Sequence, residues 1–413
     1  MSAVLPAPVL PIRFGWFWTG SALSAIGDRL TGFAVPSLAI LVLDASGTEV
    51  GVLAALGWLA YPVFGMVAGA LVAHAPQRRV MVAGELIRLA AFASIPLAAV
   101  FGVLTLAQLF AVVAIAGVAT VFVDIAGFAY LPGLVGTEFL VGANSRLQAT
   151  DSLSKLAGPA LAGAAMQFAG PFLGLLFSSL PFAGSAYARS RLPENRTTVA
   201  VAAAPPIGER IRQGLSFLWG HALLRPLVVA SAVRNFGMGA VDAVLLLFAY
   251  RVLGLSSLTG GLLLAAGAVG AVTGTFLVSR MSHRIGVRPT LLLTGLEGMT
   301  WLFVPLCLVV PALALPLLVV IRMFSAFWMP MWNVVTTSVR QAVTPPDRQS
   351  TVHAAARTVM SSPIPLGSVL GGVLGSALSA GLGSATGLVL VLATGGTCAG
   401  LSVLLINRVA VDL

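Results

Sequence analysis

The side chain with the clearest chemical potential in this chain is Asp28, in the middle of a long apolar stretch, residues 14–43. A charged carboxylate near the centre of a bilayer costs at least about 2.5 kcal/mol, so such a group usually faces a protein interior or a water-filled path. Only 13 of the 413 residues are acidic. We interpret Asp28 as the leading candidate for proton coupling, with a structural hydrogen bond to a neighbouring helix as the alternative.

Two acids in the second half of the chain are further candidates for proton coupling. Asp242 follows Arg234 by eight residues, about two helical turns, so their side chains could share a face without pairing directly. We interpret Asp242 as a second proton site or a site that recognises a cation; a local helix–helix hydrogen bond is the alternative. Glu297 is expected to line a cavity or to join a charge network at the span ends.

Two pairs of charges have the spacing of ion pairs on one helix face. Asp151 and Lys155 are four residues apart, and Lys155 is the only lysine in the chain. We favour a structural pair over a transport role, because side chains at this spacing are neighbours and a buried pair is costly to break. Glu85 and Arg88 are three residues apart, and we expect them to pair close to the membrane surface, with a gating role as the alternative.

Four more charged residues complete the predicted charge network. Arg29 follows Asp28 but points about 100° away from it around a helix, so it need not share the environment of that acid. Arg322 is expected to attract an anionic group or to pair with a buried acid. Asp124 is expected to join the charges at the span ends, and the long side chain of Arg357 can reach the interface from its position near a span end.

An aromatic and methionine stripe marks a candidate substrate pocket. The segment MFSAFWMPMWN, residues 323–333, places Phe324, Phe327, Trp328 and Met331 at helical spacing. Adaptable methionine and aromatic surfaces suit a pocket for varied apolar compounds. Packing against another helix or against lipid explains the same stripe, and we favour that interpretation.

The composition places these residues in a membrane protein. Hydrophobic residues make up 58% of the chain and charged residues 9%, whereas a soluble domain has roughly 25% charged residues. Since roughly 20 apolar residues span a bilayer, we predict an all-α integral membrane protein with twelve transmembrane helices. The stretches are approximately 14–43, 50–73, 80–101, 105–131, 144–168, 172–190, 226–253, 258–280, 289–310, 312–338, 350–379 and 383–406.

The distribution of arginine predicts the orientation of these spans. If the N-terminus is cytoplasmic, sixteen arginines fall in cytoplasmic segments or at cytoplasmic helix ends, and only Arg251 falls in an outside loop. Positive residues accumulate in cytoplasmic loops, so both termini are expected inside. The net charge of +10 is thereby explained by topology, and no nucleic-acid partner is expected. The abundance of alanine, glycine and arginine, with a single lysine, suggests a high-GC bacterial genome, and we expect the protein in a bacterial inner membrane.

The two halves of the chain repeat each other. Residues 134–163 correspond to residues 342–371 at a constant shift, and both stretches contain a loop followed by a span. We predict an N-terminal bundle of six helices at 1–190, a cytoplasmic linker at 191–225 with an amphipathic helix on the membrane interface, and a second bundle at 226–413. Duplicated halves are typical of transporters, because two bundles that rock about a central site give alternating access.

Four passages carry a resemblance to the major facilitator superfamily. They are AIGDRL (25–30), GALVAHAPQRR (69–79), VFVDIAGFAYLPGLV (121–135) and KLAGPALAG (155–163). The resemblance covers nearly the whole chain and is greatest to the twelve-helix exporters for macrolides, tetracyclines and siderophores. It implies a fold of two pseudo-symmetric six-helix bundles and efflux driven by an ion gradient.

The resemblance also assigns roles to two motifs. The loop motif begins at Gly69 and includes Arg78 and Arg79, with His74 where the family has aspartate and Gln77 where it has glycine. In the family that aspartate helps to latch the cytoplasmic side. The corresponding loop of the second half carries Arg280, Arg284 and Arg288. The fifth-span motif associated with antiporters corresponds to Gly158, Pro159 and Gly163, with Ala162 replacing a glycine.

These observations predict a transporter and not an enzyme. No Walker A, HExxH or dinucleotide-binding sequence occurs, and the two cysteines suggest neither a disulfide framework nor a metal site. We expect no cofactor, and we expect a monomer that exports amphipathic or drug-like small molecules in exchange for protons. The alternatives are uptake of a nutrient or metabolite by symport or uniport, and a transport-inactive membrane scaffold.

Overall fold

The computed structural model describes residues 12–136, 139–194, 207–345 and 348–406. The first part contains six long helices, α1 (Ile12–Leu41), α2 (Gly47–His74), α3 (Gln77–Val100), α4 (Leu106–Val135), α5 (Leu140–Ala169) and α6 (Pro171–Ser190). The second part contains α7 (Ile207–Gly220), α8 (Leu224–Leu247), α9 (Ser257–Ile285), α10 (Val287–Leu293), α11 (Leu296–Met299), α12 (Leu306–Val309), α13 (Ala314–Val343), α14 (Gln349–Ser361), α15 (Pro363–Leu382) and α16 (Ser384–Leu401). One π-helical turn, Phe248–Val252, extends α8.

Nine helical stretches among the described residues are long and apolar enough to cross a membrane. Helices α1, α5 and α6 complete the predicted set of twelve. Two of these carry charges that lower their hydropathy, including Asp28 and Arg29 in α1 and the Asp151–Lys155 pair in α5. The third, α6, is rich in buried serine.

Two predicted spans are interrupted. The eleventh breaks between α14 and α15, where Pro363 and Pro365 follow Ser362 and lack the backbone N–H groups that would continue a helix. The ninth is divided into α10, α11 and α12, with i→i+3 hydrogen bonds such as Gly298 N to Gly295 O at 3.1 Å. Short 3₁₀ stretches of this kind appear where a regular helix is bent. A hydropathy pattern records neither break.

The helices form two bundles. In the first, α1 packs against α5 and α6, and α4 packs against α2 and α3. In the second, α8 packs against α15 and α16, and α9 packs against α13. The bundles meet along two main seams, α2 with α15 and α5 with α9. These seams are related by the repeat of the sequence, because α2 corresponds to α9 and α5 corresponds to α15.

Helix α7 packs against α14. Leu218 is fully buried beside Val352 and Ala356, so part of the apolar side of this helix packs on α14; its placement on the membrane interface stays a prediction. The opposite side is exposed and charged. Hydrogen bonds from Arg212 and Gln213 hold the pKa of the Glu209 carboxyl below its usual range.

The two seams depend on glycine. A Cβ at Gly372 of α15 would lie 2.3 Å from the carbonyl oxygen of Gly47 in α2, and a Cβ at Gly163 of α5 would lie 2.4 Å from that of Ser257 in α9. No real Cβ tolerates such distances. Small residues therefore let the backbones of the two bundles touch, as they do in many membrane helix pairs.

The seams lie away from the loops that carry most of the arginines. We call the ends that carry Arg78, Arg79, Arg280, Arg284 and Arg288 the arginine-rich face, and the loops at 42–46, 101–105, 253–256 and 310–313 the opposite face. Gly47 follows a loop of the opposite face directly, and Ser257 follows another. The close contacts between the bundles thus lie in the half of the molecule near the opposite face.

Replacing Gly372 with alanine should lower the stability of the protein by about 1–3 kcal/mol, because the added methyl group overpacks the α2–α15 seam. The matched control is Gly381→Ala on the same helix, where a Cβ would meet nothing within 4 Å. Thermal unfolding in detergent checks the difference. Equal melting temperatures for the two variants would contradict this account of the seam.

Candidate functional site

A cavity of about 490 Å³ lies between the two bundles. Its charged lining consists of Asp28 and Arg29 from α1, Asp242 from α8 and Arg322 from α13. Aromatic and aliphatic side chains form most of the remaining wall, among them Val35, Leu53, Trp58, Tyr61, Phe92, Val113, Leu245, Leu246 and Leu264. The cavity thus offers a few charges within an otherwise apolar surface, which is the usual composition of a small-molecule site.

Asp28 is paired with an arginine that the sequence assigned to another partner. Its side chain is 39% exposed, and one carboxylate oxygen accepts a hydrogen bond from Arg88 Nη2. Arg88 itself is 1% exposed, donates to Ser24 Oγ at 2.9 Å, and lies 4.1 Å from the ring centroid of Phe182. A cavity-facing acid is therefore fixed by a buried guanidinium.

The second partner of Arg88 is Glu85, and this pair is buried rather than close to the surface. Glu85 is fully buried, with its carboxylate 3.3 Å from Arg88 Nη1 and 3.4 Å from Arg189 Nη2. The expectation of a surface pair was wrong because α3 packs against both α4 and α6 at this level. Arg189 lies in the last turn of α6, where it is 4% exposed and also donates to Ser185 Oγ at 3.2 Å. The spacing of four residues between Ser185 and Arg189 is the sequence pattern that could have predicted this contact.

Arg29 shares the cavity with Asp28 despite its different direction on α1. Its guanidinium lies 2.9 Å from Asp151, whose other carboxylate oxygen lies 2.6 Å from Lys155 Nζ. The spacing of Asp151 and Lys155 therefore produces the expected pair. One carboxylate balances two cations here, so this group carries a net positive charge beside the cavity.

The second bundle contributes the pair of Asp242 and Arg322. The shortest contact joins Arg322 Nη1 to Asp242 Oδ1 at 3.4 Å, and 57% of the Asp242 side chain is exposed because it faces the cavity. The stem of Arg322 lies against Gly267, where a Cβ would come within 2.9 Å of Nε. Arg322 thus pairs with an acid, one of its two expected roles, and Asp242 is the more accessible member of the pair.

Glu297 lies outside this cavity. It forms a buried ion pair with Arg234, whose guanidinium carbon also lies 5.1 Å from the ring centroid of Trp332. The structure thereby contradicts the expectation that Glu297 lines the cavity, and it weakens the case for this acid in proton coupling. As expected, Arg234 does not pair with Asp242. Arg234 of α8 pairs instead with Glu297 of α11.

Asp124 and Arg357 converge on a tyrosine that the sequence did not single out. The Tyr61 hydroxyl donates a hydrogen bond to Asp124, and the Arg357 guanidinium carbon lies 5.5 Å from the Tyr61 ring centroid. Arg357 therefore contacts the other bundle, whereas the sequence suggested that it reaches the interface. Asp124 was expected among the charges at the span ends and instead bonds to a cavity-lining residue.

The loop motif makes contacts of its own. Arg78 donates to the Leu192 carbonyl at 2.9 Å, and Arg79 lies 2.7 Å from Glu194. Gly69 has no neighbour within 4 Å of an added Cβ, and the His74 side chain lies outside the described part of the chain. In the second half, Arg280, Arg284 and Arg288 are exposed.

The antiporter-type motif lies where α5 meets two other helices. A Cβ at Gly158 would lie 2.3 Å from Arg29 Cβ, and one at Gly261 of α9 would lie 2.3 Å from the Pro159 carbonyl oxygen. Gly163 of α5 also lies close to α9, at Ser257. The motif therefore contacts both a cavity-lining arginine and the second bundle.

The aromatic stripe on α13 belongs to a packed core. Met331 is fully buried and Trp328 is 6% exposed, in a cluster with Leu227, Val278 and Leu291. The Phe327 and Trp328 rings meet edge to face at 5.0 Å, and Phe324 is 45% exposed. None of the four residues is among those that line the described cavity. Packing, the favoured alternative, accounts for their position.

Comparison with known families identifies the architecture that holds this cavity. The profile of the Major Facilitator Superfamily matches residues 17–367. The chain belongs to this superfamily. It is accordingly a membrane transporter of small molecules and not an enzyme, and its fold is the all-α fold of two six-helix bundles. Curated protein sequences contain no match to this chain.

Solved structures share this superfamily fold. A mutant of the nucleoside transporter NupG has a TM-score of 0.79 at 10% identity, over 96% of this chain and 100% of that one. A bacterial homologue of the iron transporter ferroportin in its inward-facing state has a TM-score of 0.74 at 18% identity, over 95% and 98%. The outward-facing state of a ferroportin homologue has a TM-score of 0.55 at 17% identity, over 95% and 99%.

Replacing Glu297 with glutamine should destabilise the protein by about 3–5 kcal/mol, because the buried guanidinium of Arg234 loses its counter-ion. Asp242→Asn should cost less than about 1 kcal/mol, since that carboxylate is exposed to the cavity. Thermal unfolding of the two variants in one detergent measures the difference. A stability loss in Asp242→Asn as large as in Glu297→Gln would show that the first pair is also structural.

Proposed function

We propose that this protein is a proton-coupled exporter of amphipathic small molecules that works by alternating access. The observation that carries the proposal is the cavity-facing carboxylate of Asp28, fixed by the buried Arg88 in the space between two bundles. Such an acid can bind a proton from one side and release it to the other as the bundles move. The cytoplasmic location of both termini and the bacterial inner membrane are parts of this proposal.

The residues that line the cavity support an amphipathic substrate. Trp58, Tyr61 and Phe92 contribute aromatic surface, and Leu245 and Leu264 contribute aliphatic surface from the second bundle. A molecule with a hydrophobic body and one or two polar groups would bury its body on this wall. Its polar groups would then compete for the weakly paired Asp242 and Arg322.

The distribution of contacts supports an inward-facing arrangement. The glycine seams and the hydrogen bond between Thr48 N and Ser376 Oγ, 2.9 Å long, join the bundles near the opposite face. The greater similarity to the inward-facing than to the outward-facing ferroportin homologue is in keeping with this arrangement. In this proposal the arginine-rich face is cytoplasmic and substrate enters the cavity from that side.

Export is driven by the binding of a proton to Asp28 from outside and its release to the cytoplasm. When the cavity opens outward, a proton binds Asp28 and weakens its hold on Arg88, which remains paired with Glu85. The change in charge at the cavity wall favours release of the substrate. Return to the inward-facing state exposes Asp28 to the cytoplasm, where the proton leaves.

The first test is Asp28→Asn in proteoliposomes with an imposed pH gradient. Ethidium and tetraphenylphosphonium serve as amphipathic probes, and internal pH is recorded together with probe movement. The variant should lose uphill transport by at least tenfold, because an amide cannot carry the proton. Thermal unfolding verifies that the variant is folded, since Arg88 loses one of its two counter-ions. Glu209→Gln, on the exposed side of α7, is the matched control and should transport normally.

Uphill transport at the wild-type rate by a folded Asp28→Asn protein would overturn the proposed coupling. Uptake by the same cavity is the second candidate, because one of the similar structures is described as a nucleoside transporter and two as homologues of an iron transporter. Uridine and Fe²⁺ therefore belong in the same assay. Net flux toward the arginine-rich side would favour uptake over export.

A further inference from the structure

Arg251 is the one arginine that the predicted topology leaves on the outside, and the structure gives it a partner there. Its Nη2 atom lies 2.5 Å from Asp44 Oδ1 and 2.8 Å from the carbonyl oxygen of Ala45. Arg251 belongs to the second bundle, whereas Asp44 and Ala45 belong to the loop that follows α1 in the first. The exception in the arginine distribution is thus a contact between the two bundles.

The backbone on each side holds these groups in place. Asp44 has a φ of 47°, in the left-handed region, and the next amide, Ala45 N, donates to the Ala39 carbonyl at 2.9 Å. Arg251 lies in the π-helical turn after α8, and Leu255 N closes that turn on the Ala249 carbonyl at 3.0 Å. A non-glycine residue with a positive φ is uncommon and calls for an explanation. Here the loop presents a carboxylate and a carbonyl to one guanidinium.

The residue before Arg251 makes a buried hydrogen bond to the first bundle. The hydroxyls of Ser37 and Tyr250 are 2.8 Å apart and join α1 to the same π-helical turn. Tyr250 in turn fills the space beside Gly260, where a Cβ would lie 2.7 Å from its hydroxyl. The ion pair is exposed and the hydrogen bond is buried, so the opposite face is closed by an outer and an inner layer of contacts.

We propose that Arg251 and Asp44 form a clamp that holds the opposite face closed and must open before the cavity can reach that face. The inference rests on the alternating access of the proposed function. Neither residue packs within the core of its own bundle, since Asp44 is almost fully exposed and Arg251 is about one-third exposed. The contact therefore exists only while the two bundles are together at this face, and it stabilises that state selectively.

The clamp is of the kind that salt weakens. Exposed ion pairs contribute little, and one with an added hydrogen bond should change a two-state ratio by up to about fivefold. The Debye length falls from roughly 30 Å at 0.01 M salt to about 3 Å at 1 M, so the attraction should be screened at high salt. A contact of this size can be broken and remade in each transport cycle.

The test measures the distance between the bundles at the opposite face. Cys307 and Cys398 are replaced by alanine, and spin labels are attached at Phe101 and Leu313, which are exposed at that face in different bundles. Pulsed electron resonance in nanodiscs reports the distance distribution without any substrate. Arg251→Ala should raise the ratio of long to short distances by up to about fivefold at low salt. Asp44→Ala should raise it by a smaller factor, because Arg251 keeps its bond to the Ala45 carbonyl.

Two comparisons make the result specific. Exchanging the charges, Asp44→Arg with Arg251→Asp, should restore much of the short-distance population, although the bond to the Ala45 carbonyl is lost. Arg212→Ala removes an exposed ion pair that lies within α7, and it should leave the distances unchanged. High salt should lengthen the distances in the wild-type protein but have little effect in Arg251→Ala.

Identical distance distributions in the wild-type protein, Arg251→Ala and Asp44→Ala at low salt would overturn the clamp. So would a failure of the exchanged charges to shorten the distances relative to the single variants. These outcomes are independent of proton coupling. If Arg251→Ala opens the face while Asp28→Asn transports normally, the clamp stands and the proposed role of Asp28 fails; the reverse pattern retains Asp28 and removes the clamp.

Discussion

The interaction on which the site depends is the sharing of one buried guanidinium between two carboxylates. Arg88 bonds to Asp28 at the cavity wall and to Glu85 in the interior, and Arg189 supplies the second cation. Two acids and two arginines make a neutral group, so its burial is tolerable even though single buried ions are costly. A change in the charge of Asp28 alters the balance of charge at the buried Arg88, Glu85 and Arg189. This group therefore links the cavity to the packing of α1, α3 and α6.

The second bundle also has a buried acid–arginine pair and a cavity-lining acid, but these do not contact each other. Glu297 lies in the span that corresponds to α3, and Arg234 serves as its buried cation. No cavity-lining acid shares that arginine, because Asp242 pairs with Arg322 instead. The first bundle thus joins its cavity acid to a buried charge group, whereas the second keeps the two apart. This asymmetry favours Asp28 over Asp242 as the residue whose protonation state affects helix packing.

Local spacing predicted well those features that one helix determines. The pair of Asp151 and Lys155 follows from four residues of separation, and the span positions follow from hydropathy. The burial of Glu85, the role of Arg189 and the contact of Tyr61 with Asp124 each depend on which helices are neighbours. Periodicity within one span contains no such information. The aromatic stripe on α13 illustrates the same limit, since helical spacing alone does not distinguish a cavity wall from a packed core.

The contacts between the bundles near the opposite face differ in kind from the contact beside the cavity. Near the opposite face the bundles touch through backbone, at seams where glycine allows carbonyl groups to approach. Such contacts are short in range and lose their value as soon as the helices separate, so they favour two discrete arrangements over a continuum. Arg357 on Tyr61 is a looser contact, made by a long flexible side chain that can follow a moving partner. The Arg357 contact can therefore persist over a range of bundle separations that the glycine seams cannot bridge.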